Sequence, residues 1–217
     1  MRWAHAMVSP VVVGRLRAGV DGLGLIPGSG PAILASNHVS NLDNYLIMSA
    51  APRPLHFLGK AELAKGPMGR LNTSLGMVPI DRGARDAGAL DALIALLREG
   101  ELVALFPEGT RSPTGELHRF RSGMARIAAA AQAPVVPVAV IGTDVVWPRD
   151  DRPRFRRPAR GVVGVRFGAP LDPPADTPRE RRVFTAGVRA AVAELSGRPT
   201  VSRYAPVAED DDRLAQP

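Results

Sequence analysis

The chain has 217 residues, no cysteine, and 28 basic against 21 acidic side chains, for a formal net charge of +7. That length suits one full hydrophobic core, and the lack of cysteine excludes a disulfide framework, a thiolate nucleophile and a cysteine zinc site. The positive balance, carried mainly by arginine, suits nucleic acid, anionic lipid or a phosphorylated substrate. Aromatic residues make up only 5% of the chain and never alternate with basic ones, so the stacking surface of a single-strand binder is missing and nucleic acid is not expected.

Residues 1–30 read as a possible membrane-surface segment. Met7, Val8, Val11, Val12 and Val13 lie among Arg2, Arg15 and Arg17, a pattern that suits an element at a lipid headgroup boundary and equally one packed on its own domain. No stretch reaches the roughly 18 to 20 apolar residues needed to cross a bilayer. Residues 31–197 follow as one domain. Short apolar runs at 32–36, 55–58, 77–80, 102–106, 135–141 and 162–167 read as strands. Between them, residues 87–99 carry Leu90, Leu93, Ile94 and Leu97 on one helical face, with Asp86 placed to cap the start and Gly100 the end. Thr177-Pro178-Arg179-Glu180 is a capping-box pattern with proline at the first helical position, and the helix it opens runs to about residue 195, before Gly197 and Pro199. Two segments read as poorly ordered: the arginine- and proline-rich 149–160, and a tail at 198–217 that contains the acidic run Glu209-Asp210-Asp211-Asp212. Strands alternating with helices imply an α/β fold: a single layered domain with a mixed, largely parallel sheet flanked by helices and functional loops at one sheet edge.

The chemistry gathers at strand ends. In Asn37-His38-Val39-Ser40-Asn41-Leu42-Asp43 a histidine and an aspartate stand five positions apart, about 140° apart on a regular helix, so they meet only if the chain turns between them. If they meet, the carboxylate fixes the imidazole tautomer and the other ring nitrogen is free to take a proton from a hydroxyl. The alternative is a hydrogen-bonded structural histidine. His5, His56 and His118 are scattered, and none stands at metal-ligand spacing. Phe106-Pro107-Glu108-Gly109-Thr110-Arg111-Ser112 follows another predicted strand and offers a hydroxyl, backbone N–H groups and a guanidinium suited to a phosphate. Gly76-Met77-Val78-Pro79-Ile80-Asp81-Arg82 delivers a further arginine, and Lys60 stands just past the strand at 55–58. Each cation alone reads as a solvated surface charge; converging at one edge, Lys60, Arg82 and Arg111 would form a phosphate clamp.

Together and in this order, these segments resemble the glycerolipid acyltransferase family that includes 1-acylglycerol-3-phosphate O-acyltransferases. The resemblance rests on four blocks, Asn-His-x4-Asp at 37–43, Gly-x4-Asp-Arg at 76–82, Phe-Pro-Glu-Gly-Thr-Arg-Ser at 106–112 and Val-Val-Pro-Val at 135–138, and covers about residues 31–170. It implies a glycerol-3-phosphate acyltransferase-like fold in which His38 is the general base toward a lipid hydroxyl and Asp43 its orienting partner. Lys60, Arg82 and Arg111 would hold the acceptor phosphate, while Glu108, Gly109 and Thr110 shape that phosphate pocket. The implied reaction moves a fatty acyl group from acyl-CoA or acyl carrier protein to the free hydroxyl of lysophosphatidate, giving phosphatidate in phospholipid biosynthesis, with no metal or redox cofactor. Another lysophospholipid or a glycolipid acceptor is the alternative within this chemistry; a non-enzymatic peripheral membrane-binding protein is the alternative from another class. The family associates the Val-Val-Pro-Val block with acyl binding, whereas residues 135–141 read by themselves as a buried core strand. Some relatives carry long hydrophobic anchors where this chain has no plausible spanning helix before Pro31, so the expected attachment is peripheral or monotopic, on the cytoplasmic side of an anionic membrane surface. Arginines at positions 2, 15 and 17 and within 149–160 would contribute about 1 kcal/mol each there.

Overall fold

A strand that is apolar at every position has to be covered on both faces, and the central strands of this protein are of that kind. The computed structural model describes residues 2–80, 87–149, 151–154 and 156–206, with the backbone alone described at 2–8, 60, 68, 80, 87 and 89. Its strands are β1 (Gly19–Asp21), β2 (Ala32–Ser36), β3 (Leu55–Lys60), β4 (Met77–Ile80), β5 (Leu102–Leu105), β6 (Val135–Ile141) and β7 (Gly164–Phe167). The helices are α1 (Arg2–Leu16), α2 (Leu42–Ala50), α3 (Gly66–Ser74), α4 (Ala87–Arg98), α5 (Gly123–Ala131), the short α6 (Thr143–Val146) and α7 (Pro178–Ser196). Every residue of β2 is buried, as are the first six of β6.

The strands form one seven-stranded sheet in the order β1-β7-β6-β2-β5-β3-β4. From β6 to β4 neighbours run parallel; β7 is antiparallel to β6, and β1 runs parallel to β7. The expected mixed, largely parallel sheet flanked by helices is therefore the observed architecture. Because successive side chains on a strand point to opposite faces, each strand feeds two cores. Leu34, Val136, Val138 and Val140 pack with Leu46, Ile47 and Met48 of α2 on one face. Ile33, Val103 and Val135 pack with Leu93 and Leu97 of α4, Ile127 of α5 and Val188 and Val192 of α7 on the other.

Local signals account for the element ends. Thr177 Oγ1 accepts the N–H of Glu180 at 3.2 Å, Pro178 opens α7, and Gly197, at φ 64°, closes it. Pro137 stands inside β6, where a ladder N–H is lost, and the neighbouring chain compensates. Val138 pairs with Phe167, yet Val135 bridges to Leu171, so one extra residue is accommodated opposite the proline, and the Gly168 N–H bonds the Pro137 carbonyl at 2.8 Å.

Parts of both terminal segments are tied to the body of the fold. Within 1–30, β1 adds a strand to the sheet edge. Within 198–217, the Thr200 bridge to Leu117 and the Arg119 N–H to Arg203 carbonyl bond hold residues 200–203 against the body; residues 207–217 lie outside the described residues. For the site, the decisive feature is that β6, β2 and β5 are adjacent and parallel, so their carboxyl ends release three loops side by side.

Candidate active site

The first loop leaves β2 at Ser36 and does not enter a helix until Leu42, so His38 lies outside helical geometry and the expected turn between it and Asp43 is present. Asp43 makes that turn. Its Oδ2 accepts the N–H of Val39 at 2.7 Å and of Ser40 at 2.9 Å, folding residues 39–43 around the carboxylate. The same oxygen lies 2.8 Å from His38 Nδ1. Since Oδ2 is already accepting, Nδ1 carries the hydrogen and donates, which leaves Nε2 as the open lone pair. Asp43 is fully buried, while the His38 side chain keeps 15% of its surface exposed, enough for one ring edge to meet a substrate. The Phe106 ring stacks on the imidazole with centroids 3.9 Å apart and planes 17° apart, fixing the ring plane as Asp43 fixes its rotation.

Asn37 anchors the loop to the neighbouring strand. Its side-chain N–H donates to the Val140 carbonyl at 3.1 Å, and its Oδ1 accepts the Val140 N–H at 2.9 Å, so a buried amide closes a two-bond clasp between the ends of β2 and β6.

The second loop, after β5, is joined to the first at two points. Ser112 N–H donates to the His38 carbonyl at 2.7 Å, and Glu108 Oε1 accepts the His38 N–H at 2.9 Å. Glu108 Oε2 accepts the N–H of His118 at 3.0 Å and lies 3.6 Å from its Nδ1, and both side chains are fully buried. The Glu108 carboxylate thus faces two backbone N–H groups and braces the two loops, a place from which it would shape the expected phosphate pocket without touching the phosphate itself. Burial pushes its carboxyl up to about 7; the N–H groups of His38 and His118 and the charge of Arg198 pull it down, and the charge of Asp43 adds to the rise.

Gly109 is exposed at φ 81°, and a Cβ there would stand 2.9 Å from Arg121 Nε, so glycine serves both the turn and the overlying arginine. Thr110 and Arg111 are half-buried. The Arg111 guanidinium donates to the Arg149 carbonyl at 2.5 Å, and Arg149 donates in return to the Arg111 carbonyl, so this residue, one position before the Ser112 N–H that bonds the His38 carbonyl, is engaged by the segment after α6. Lys60 ends β3, next to β5, which puts its backbone at the same sheet edge; its side chain and all of Arg82 lie outside the described residues. The dyad and the loop at 106–112 are thus brought together, whereas of the three expected clamp cations only Arg111 and the backbone of Lys60 are among the described residues.

Thr143 has no counterpart among the residues singled out from sequence. It opens the third loop, after β6, and its hydroxyl donates to Asp43 Oδ1 at 2.5 Å although the two residues are 100 positions apart. At the other end of α6, Ser40 Oγ donates to the Trp147 carbonyl at 2.6 Å. His118, which stands at no metal-ligand spacing in the sequence, is buried against Glu108. The sequence marks Phe106 only as part of a motif, and no local pattern assigns its ring to His38.

Comparisons with known proteins identify the family. A family model described as Acyltransferase matches residues 17–141. A chloroplastic 1-acyl-sn-glycerol-3-phosphate acyltransferase of Arabidopsis thaliana is 33% identical over 150 residues, covering 67% of this chain and 41% of that protein. The 1-acyl-sn-glycerol-3-phosphate acyltransferase alpha of Mus musculus is 32% identical over 154 residues, covering 69% of this chain and 54% of that protein. The chain thus spans about half the length, or less, of these relatives. Among solved structures, the 1-acyl-sn-glycerophosphate acyltransferase PlsC of Thermotoga maritima superposes with a TM-score of 0.73 at 30% identity, covering 88% of this chain and 78% of that one.

Proposed function

The chain belongs to the Acyltransferase family, and on that premise we propose that it moves a fatty acyl group from a coenzyme A or acyl carrier protein thioester to the free hydroxyl of 1-acylglycerol-3-phosphate, giving phosphatidate. The observation that carries this reading is the His38–Asp43 pair: an imidazole whose Nδ1 is tied to a buried carboxylate, with Nε2 open beside the 106–112 loop. The acceptor hydroxyl gives its proton to Nε2 as its oxygen attacks the thioester carbonyl. The carbonyl then re-forms, the carbon–sulfur bond breaks, and the leaving thiolate takes the proton back from His38. No protein nucleophile takes part, in keeping with a chain that has no cysteine. A base placed this way accounts for about 10² to 10⁴ in rate.

Thr110 and the N–H groups of the 106–112 loop, with Arg111 and Lys60, are the groups we assign to the acceptor phosphate, Arg82 joining them by sequence. The names of the aligned relatives support lysophosphatidate as acceptor. Attachment is assigned to the cytoplasmic face of an anionic membrane, peripherally or monotopically. Among the described residues no helix is long and apolar enough to cross a membrane, Val11 of α1 is 66% exposed, and Arg157 donates to the Gly14 carbonyl, which gathers basic charge beside the helix.

The test is conversion by purified protein of lysophosphatidate with acyl-CoA, or with acyl carrier protein thioester, read by mass spectrometry of the lipid product. Phosphatidate formation supports the reading. Turnover confined to another lysophospholipid or a glycolipid moves the assignment to that acceptor. Vesicle binding with no turnover across a panel of donors and acceptors leaves a membrane-binding protein and overturns the enzymatic reading.

A further inference from the structure

We propose that Thr143 is a positioning residue for the dyad, holding through Oδ1 the carboxylate that orients His38; the proposal deepens the acyl-transfer reading and rests on it for its kinetic arm. The donors on Asp43 are unequally divided. Oδ2 receives His38 Nδ1–H and the N–H groups of Val39 and Ser40, whereas Oδ1, among the described residues, receives the Thr143 hydroxyl at 2.5 Å. Both side chains are fully buried, so without that hydroxyl Oδ1 faces neither water nor a described donor. A carboxylate with one bare oxygen in a dry site has two ways to recover. It rotates, giving His38 a less well placed oxygen, or it takes up a proton on Oδ1 and becomes a weaker acceptor at Oδ2. Either route loosens the Nδ1–H tautomer that keeps Nε2 open.

The fold spends several features on placing this hydroxyl. Gly142, at φ 68°, turns the chain out of β6, and a Cβ there would stand 1.9 Å from the Val162 carbonyl oxygen, so no side chain fits at the turn that presents Thr143. The Asn37–Val140 clasp sets the end of β6 against the loop holding His38. Asp144, the next residue, pairs with Arg198 at 3.2 Å, and the Ser40–Trp147 bond ties the far end of α6 to the same loop. The turn and short helix at 142–147 are thus a third part of the site, fastened at both ends.

The experiment compares wild type with Thr143→Val, which keeps the shape and removes the donor, and Thr143→Ser, which keeps the donor. In T143V, kcat is expected to fall about 10- to 100-fold, a part of the worth of the base itself, with KM for donor and acceptor little changed; T143S restores most of the rate. Independently of turnover, ¹⁵N shifts of the histidine rings, with His38 assigned by its absence in a His38 variant, should show one Nδ1–H tautomer in wild type and T143S and a mixture in T143V. Wild-type kcat and an unmixed tautomer in T143V would overturn the proposal, as would a T143S protein as impaired as T143V, because shape and not the hydroxyl would then matter. If wild type transfers no acyl group to any acceptor but the tautomer result holds, the acyl-transfer reading fails and the positioning role stands.

Discussion

Glu108 makes the fold's stability depend on pH in a direction opposite to that of most carboxylates. Its carboxyl titrates near 7 in the folded protein against an ordinary value of 4.5, chiefly because it is buried. A folded-state pKa above the unfolded one means that the folded protein holds this proton more tightly, so the stabilisation is complete below about 4.5 and is lost as pH rises through about 7. At about 1.4 kcal/mol for each tenfold difference in proton affinity, the gap amounts to roughly 3 kcal/mol. The perturbation is Glu108→Gln, which cannot ionise. Urea unfolding of both proteins from pH 5 to pH 8 gives their stability difference at each pH, and titrations common to both chains cancel. Wild type should lose about 2 to 3 kcal/mol relative to E108Q between pH 5 and pH 8, most of it below pH 7. A difference that stays flat, or that grows in favour of wild type as pH rises, refutes the argument that burial dominates the two N–H bonds and Arg198.

Two further substitutions probe the frame of the site. Asn37→Ala removes both bonds of the clasp to Val140 and leaves a buried N–H and carbonyl unsatisfied, so a loss of about 2 to 4 kcal/mol is expected in denaturant unfolding, together with reduced turnover as the His38 loop loosens; unchanged stability would show that β2 and β6 do not need the clasp. Gly142→Ala places a Cβ against the Val162 carbonyl at a left-handed backbone position, with an expected cost above about 2 kcal/mol and a melting temperature lower by at least about 4 °C. A variant as stable as wild type would show that the turn yields without strain.

Much of the fold could be read from short patterns. The runs at 32–36, 77–80 and 135–141 coincide with β2, β4 and β6, and the capping signals at Thr177 and Gly197 mark the ends of α7, because burial on both faces and end-capping are local properties of the chain. Strand pairing was not local. That β2 sits between β5 and β6, and so faces two motif loops at once, follows from packing across 70 to 100 residues of sequence. The meeting of His38 and Asp43 was legible only as a condition, since their spacing requires a turn, and the bonds from Val39 and Ser40 that make the turn depend on the carboxylate itself. Glu108 stands in the chain beside Gly109 and Thr110, which suit a phosphate; that its carboxylate is buried between the N–H groups of His38 and His118 follows only from packing across the two loops. Thr143 was invisible for the same reason: a threonine after a core strand has no feature that marks it as the partner of an aspartate 100 positions earlier.

The central claim is that the open nitrogen of His38 removes the acceptor's proton. The direct measurement is kcat for phosphatidate formation by His38→Ala beside wild type, at saturating lysophosphatidate and acyl-CoA, with unfolding curves recorded on the same preparations. The account expects H38A to remain folded and to lose about 10² to 10⁴ in kcat. A folded H38A protein with wild-type kcat would contradict it.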